Sequence, residues 1–204
     1  MIDAIRRAFD ETTAQAGPAA TWVRPYGEDA DPSVHQFVLF LKPEVTDLAN
    51  GLDMNAVIGM VSEELERWSV DIGAIRVLNG DYLAEQRIMH AHYGVINQIS
   101  TQGHDAISDG AKAKLATIYE KDLARGATVL GAHQFLDQEP AFTALALTSI
   151  NDSFGTEKLG GGTYGLTLDV LSRSYIILNP FHPYQLVPYT TPGNGIIAIE
   201  GRSR

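Results

Sequence analysis

The strongest constraint on this chain is one short stretch, Gln36-Phe37-Val38-Leu39-Phe40-Leu41, which runs straight into Lys42-Pro43-Glu44. Five consecutive apolar residues, rich in β-branched and aromatic types and stopped by a proline, read as a strand buried on both faces. Lys42 then falls where the strand leaves the core, on backbone that Pro43 stiffens. A cation at a strand end is a common arrangement for recognising an anion.

Around that strand the other elements follow from spacing. Ile2, Ile5, Ala8 and Phe9 predict a short amphipathic helix over 2–16, ended by Gly17-Pro18. A polar, acidic connection that includes Gly27-Glu28-Asp29 leads into the strand, and a loop with Asn50-Gly51 as its turn follows it. Val57, Ile58, Val61, Leu65 and Trp68 are spaced for a helix whose acids face outward. Residues 70–78 alternate as a strand, Asn79-Gly80-Asp81 turns the chain, and 82–93 reads as a second helix. The text from 100 to 172 is less regular: a helix over 111–125, a short apolar piece at 129–136, helix or strand at 141–150, and a loop-like stretch at 152–165. Tyr175-Ile176-Ile177-Leu178 and residues 195–201 read as strands. The pattern predicts an α+β domain with a mostly antiparallel sheet.

A chain of 204 residues holds one well-filled core or one domain with a sizeable insertion. The net charge of −10 argues against non-specific binding to nucleic acid or to an anionic membrane, so an anionic ligand needs a local cationic pocket. With no cysteine there are no disulfides and no thiolate metal sites, which fits a cytoplasmic location. No apolar run is long enough to span a bilayer, and the first residues, with Asp3, Arg6 and Arg7, lack a hydrophobic signal core.

Few side chains suggest chemistry. His90 and His92 stand two apart on the expected helix and diverge by about 200°, so they cannot share a metal, and no H-E-x-x-H motif occurs. No metal site is expected. Gly160-Gly161-Gly162 invites a phosphate-loop reading but lacks the Gly-Lys-Ser/Thr ending; Thr163, Leu166, Thr167 and Leu168 suggest a hairpin turn instead, with Lys158 beside it. Phe181-His182-Pro183-Tyr184 sets two aromatics and a histidine between prolines: Phe181 and Tyr184 suit base stacking and His182 suits a phosphate, and the same residues equally make a rigid packed turn.

In sequence order these pieces resemble the nucleoside diphosphate kinase family. That family opens with an apolar strand ending in Lys-Pro-Asp, similar to residues 37–44 here. Its helix beginning Val-Ile/Val-Gly is similar to Val57-Ile58-Gly59, and its next strand to residues 70–78. Its following helix carries Ala-Glu, as at Ala84-Glu85, and ends in Tyr-x-x-His, as at His92 with Met89 in the tyrosine's place. Pro180-Phe181, Leu186-Val187, Pro192-Gly193 and residues 196–201 resemble its later segments, displaced by an insertion at about 94–179. The resemblance covers roughly half of the chain.

It implies a ferredoxin-like antiparallel sheet with helices on one face within residues 35–204, preceded by a helix and linker over 1–34 and interrupted by an inserted subdomain. It also implies nucleotide binding, with Lys42 on phosphate, Phe181 and Leu186 on the base, and His92 lining the cleft. A nucleoside triphosphate carried with Mg, and phosphoryl transfer from triphosphate to diphosphate, follow from the same resemblance. The family's phospho-acceptor histidine and its last strand lie beyond the point matching Arg204, so His92 and His182 are the remaining candidates for chemistry. Either the chain is a piece of a longer protein, or a second copy in a homo-oligomer or a partner segment completes the sheet, or the insertion rebuilds the domain with residues 175–178 at the vacant edge. The alternative function on the same scaffold is a non-catalytic interaction or assembly domain.

Overall fold

The computed structural model describes residues 1–29, 31–46 and 51–203. The expected turn at Asn50-Gly51 includes Asn50, which lies outside the described residues. The chain divides into two compact units, Met1–Met89 with Val187–Arg204, and His90–Leu186.

The first unit opens with α1 (Ile2–Thr13), whose buried side is Ile5, Ala8, Phe9 and Thr12. β1 (Ala20–Arg24) and β2 (His35–Leu41) follow, then α2 (Pro43–Thr46). α3 (Met54–Arg67) starts where the Asp53 carboxylate accepts from the backbone N–H groups of Asn55 and Ala56, satisfying donors that a helix start leaves orphaned. β3 (Asp71–Asn79) leads into α4 (Gly80–Glu85). The expected turn at Asn79 is thus a helix cap: the Asn79 side chain accepts from Tyr82 N and from Ala19 N, both at 2.9 Å, and donates to Gly17 O at 2.8 Å. The single helix expected over 82–93 is broken at Arg87, which has φ +50°, and resumes as α5 (Ile88–His92).

The second unit continues through α6 (Gly94–Gln102), a 3-10 turn at Gly103–Ala106, α7 (Asp109–Ile118), α8 (Glu120–Ala124), β4 (Thr128–Gly131), α9 (Ala132–Gln138) and α10 (Ala144–Phe154). β5 (Glu157–Gly160), β6 (Thr163–Val170), β7 (Arg173–Leu178) and α11 (His182–Gln185) complete it. Its sheet has the order β4-β7-β6-β5, with β4 and β7 parallel and the other pairs antiparallel. The glycine run is the turn of the β5–β6 hairpin, where Gly162 takes φ +66°. α12 (Val187–Thr190) and β8 (Gly195–Ser203) return the chain to the first unit.

In the first unit the strand order is β1-β3-β8-β2, and every neighbouring pair is antiparallel. β2 and β3, joined through α3, therefore run parallel with β8 between them, a split β-α-β arrangement. Odd-numbered residues of β2, β3 and β8 face α1 and α3 and form the core with them: Leu41, Ile75, Val77, Ile197 and Ile199 against Ile5, Phe9, Met54 and Ile58. The opposite face is only partly covered; Tyr189 of α12 meets Phe40 edge-on at 6.2 Å.

Four expectations differ from the structure. β2 is an edge strand, not a strand buried on both faces: residues 35–38 are exposed and burial is complete only at Leu41. A continuous apolar run specifies two apolar faces, but not whether the sheet continues past it. Residues 175–178 do not fill that vacant edge; as β7 they lie between β4 and β6 in the second sheet. Residues 1–34, expected as a helix and linker, supply α1 to the core and β1 to the sheet. The inserted unit, expected at about 94–179, spans His90–Leu186 and so takes in Phe181, Tyr184 and Leu186.

Candidate functional site

On the face of the first sheet opposite α1 and α3, even-numbered residues of β2, β3 and β8 form rows with β1. Trp22, Arg76, Ala198 and Phe40 stand side by side in one cross-strand row. Ala74 and Ala198 are too small to fill the space between their neighbours. A cavity of about 480 Å³ results, walled by Trp22, Tyr26, Val38, Arg76 and Glu200. That volume suits a small-molecule ligand.

Arg76 dominates the chemistry of this cavity. Its guanidinium lies 4.8 Å from the Trp22 ring and 5.2 Å from the Tyr82 ring, and it donates to the Tyr82 hydroxyl at 3.2 Å. Stacking between aromatic faces fixes the cation in place without neutralising it. Its Nε–H is buried and has no acceptor, and among the described residues no carboxylate pairs with it. The acid of the cavity, Glu200, is already engaged by Arg202 at 2.8 Å. Trp22 and Tyr26 keep 46% and 51% of their surface exposed, so their rings offer faces for stacking. A planar group that carries an anion fits this combination of open aromatic faces and one unneutralised cation.

The residues singled out from sequence divide between the units. Lys42 belongs to the first, exposed at the end of β2. His92, Phe181, His182, Tyr184 and Leu186 belong to the second. There the structure gathers histidines around His182. Phe181 is half-buried with its ring edge-on to Tyr164 at 5.6 Å, and Leu186 is buried. His182 is fully buried between the rings of His133 at 6.0 Å and Tyr93 at 6.1 Å, with Nε2 3.3 Å from Asn97 Oδ1 and Nδ1 3.5 Å from Gln185 Oε1. Burial lowers its pKa to about 4, helped by the charges that His133 and His90 would carry and opposed by the contact with Gln185. Burial likewise lowers the pKa of His133. His182 is therefore neutral at pH 7 and shut away from solvent. His92 is exposed and packs edge-on to Tyr93 at 4.8 Å.

Among the described residues no group of three or more His, Asp or Glu side chains could hold a metal ion. Nor is any helix among them long and apolar enough to cross a membrane. In comparisons with known proteins, no family model, no curated protein and no solved structure matches the chain.

Sequence reasoning missed Trp22, Tyr26 and Arg76. A signal for Arg76 existed: it is the single cation inside the strand 70–78, at a position that alternation assigns to the face opposite Ile75 and Val77. For Trp22 the signal was weaker, because β1 is only five residues long.

Proposed function

We propose that the chain is a nucleotide-binding protein of nucleoside diphosphate kinase-like ancestry, working in the cytoplasm, whose first unit holds the ligand on the open face of a ferredoxin-like sheet. The observation that carries this reading is Arg76, an unneutralised guanidinium fixed between Trp22 and Tyr82 at the wall of a cavity of about 480 Å³. The base stacks on Trp22 or Tyr26, a contact worth about 1–3 kcal/mol, and a phosphate accepts from Arg76. Support for the ancestry comes from the split β-α-β order of β2, α3, β3 and β8, together with Lys42 at the end of the first of these strands.

Calorimetric titration of ADP and ATP into wild type, Arg76→Ala and Lys42→Ala tests the reading. Loss of a charge-assisted phosphate contact is expected to weaken binding to Arg76→Ala by roughly ten-fold or more. No heat from either nucleotide, or equal affinity for wild type and Arg76→Ala, contradicts it. Weakening confined to Lys42→Ala moves the ligand to the strand-end position that the resemblance implies.

Transfer of the γ-phosphoryl group is the further step of this reading, and it needs a nucleophile positioned beside the phosphates. Of the two candidate histidines, His92 is the one open to solvent. Incubation with γ-labelled ATP should leave acid-labile phosphohistidine in wild type. An unlabelled wild type restricts the protein to binding.

A further inference from the structure

Arg76 is one charged wall of the cavity on the first sheet, and Glu200 is another. Glu200 stands one cross-strand row away from Arg76, between Ala74 and Val38, about 7 Å further along the strands. Arg202 occupies the next row, opposite Gln36. Its Nε donates to Glu200 Oε1 at 2.8 Å and one of its terminal nitrogens to Glu200 Oε2 at 3.2 Å. That terminal nitrogen also donates to the Gly27 carbonyl, and the other lies 3.8 Å from Asp29. The guanidinium is 5.9 Å from the Tyr26 ring. Arg202 thereby holds segment 26–29 against β8 and makes Tyr26 the wall beside Glu200. Gly73, at the β3 bulge, leaves room for this pair: a Cβ there would collide with Arg202 Nε and Glu200 Oε2.

The two ends of the cavity make opposite demands on a ligand. Arg76 only donates hydrogen bonds. Glu200, paired with Arg202, is a carboxylate that only accepts them; it has positions for about four, and Arg202 takes two. One face of Trp22 is already covered by Arg76 at 4.8 Å, so the anion belongs at that end and the ring system on Tyr26. A base stacked on Tyr26 turns its edge, and not the sugar, toward Glu200. A carbonyl on that edge sets acceptor against acceptor, whereas an amine supplies the missing donor.

We propose that Glu200 selects nucleotides whose base carries an exocyclic amine where hypoxanthine and uracil carry a carbonyl, as adenine and cytosine do. Glu200 accepts the N–H of that amine, Tyr26 stacks on the base, and Arg76 takes the phosphate. Arg202 is a positioning residue that fixes both Glu200 and Tyr26. This selection rests on the nucleotide-binding reading above and adds to it which bases the cavity admits. A site built to accept a hydrogen bond discriminates strongly against an analogue that lacks the donor, because its own buried acceptor is then left unpaired. Glu200 is 8% exposed and fits that description.

Calorimetric titration of the full chain with ADP and with inosine diphosphate, which has a carbonyl in place of the adenine amine, tests it. Wild type should bind ADP at least roughly ten-fold more tightly than inosine diphosphate. Glu200→Gln, whose amide both donates and accepts, should bring the two within about three-fold of each other. Equal affinity of wild type for both, or a preference that Glu200→Gln leaves intact, overturns amine recognition while the nucleotide reading stands. No heat from either nucleotide overturns both. Should Glu200→Gln fail to fold, wild type and ADP dimethylated on its exocyclic nitrogen decide. With no N–H to give, that analogue must bind at least roughly ten-fold more weakly than ADP, and affinity equal to that of ADP overturns the proposal.

Discussion

Arg76 and Asn79 sit three residues apart on β3 and illustrate two uses of a polar side chain in a buried strand. Arg76 is held by rings and leaves its charge available; Asn79 spends every hydrogen bond on the protein. From a position 1% exposed, Asn79 joins the end of α1, the start of β1 and the first turn of α4. Asn79→Ala leaves those buried backbone groups without partners, and each such group costs about 1–3 kcal/mol. Urea denaturation should show a loss of about 2–4 kcal/mol. Arg76→Ala removes only stacking and one hydrogen bond, so its denaturation midpoint should move far less while nucleotide affinity falls. A single local signal, Asn-Gly-Asp read as a turn, located Asn79 correctly but could not reveal that its partners lie 60 residues away at Ala19.

At the scale of elements, β2 and β7 show what an apolar run does and does not say. Both are unbroken apolar stretches, and both were expected as strands. β7 lies between two neighbours, with Ile176 and Leu178 in one core and Tyr175 and Ile177 in another. β2 lies at an edge with half its length exposed. The composition of a strand reports that its faces are apolar; only pairing through residues distant in sequence decides what covers them. Ile176→Ala should therefore cost about 2–5 kcal/mol by thermal or urea unfolding, and Val38→Ala within about 0.5 kcal/mol. The strands at 37–41, 70–78 and 195–201 and the helices on α1 and α3 were legible because their periodicity is strong. β1 and the alternation of β4 with α9 were not, since each is short and takes its conformation from the sheet it joins. For the site, Lys42 was legible as a cation at a strand end. The cavity was not, because Trp22, Arg76 and Ala198 become neighbours only through sheet register.

Across the whole molecule, the histidines with lowered pKa values, His133 and His182, both belong to the second unit. Each takes up a proton more readily once unfolded. For His182 the unfolded chain binds more protons between the ordinary value of 6.5 and about 4, so stability is full above that window and falls as pH drops through it. The slope contributed by this group is up to about 1.4 kcal/mol per pH unit. Hydrogen exchange at descending pH should lose protection in α6, α9 and β7 before the sheet of β1, β2, β3 and β8. His182→Gln should flatten the acid limb. Loss of protection first in the latter sheet contradicts this assignment.

Ligand binding on the open face of the first sheet is the central claim, and fluorescence reports it from inside the site. The chain has two tryptophans, Trp22 and Trp68, so Trp68→Phe leaves Trp22 as the only indole emitter. Titrating ADP into Trp68→Phe should quench or shift Trp22 emission saturably, and adding Arg76→Ala should weaken the half-point by roughly ten-fold or more. Emission that does not respond to ADP, or a response that Arg76→Ala leaves unchanged, contradicts a nucleotide on this face.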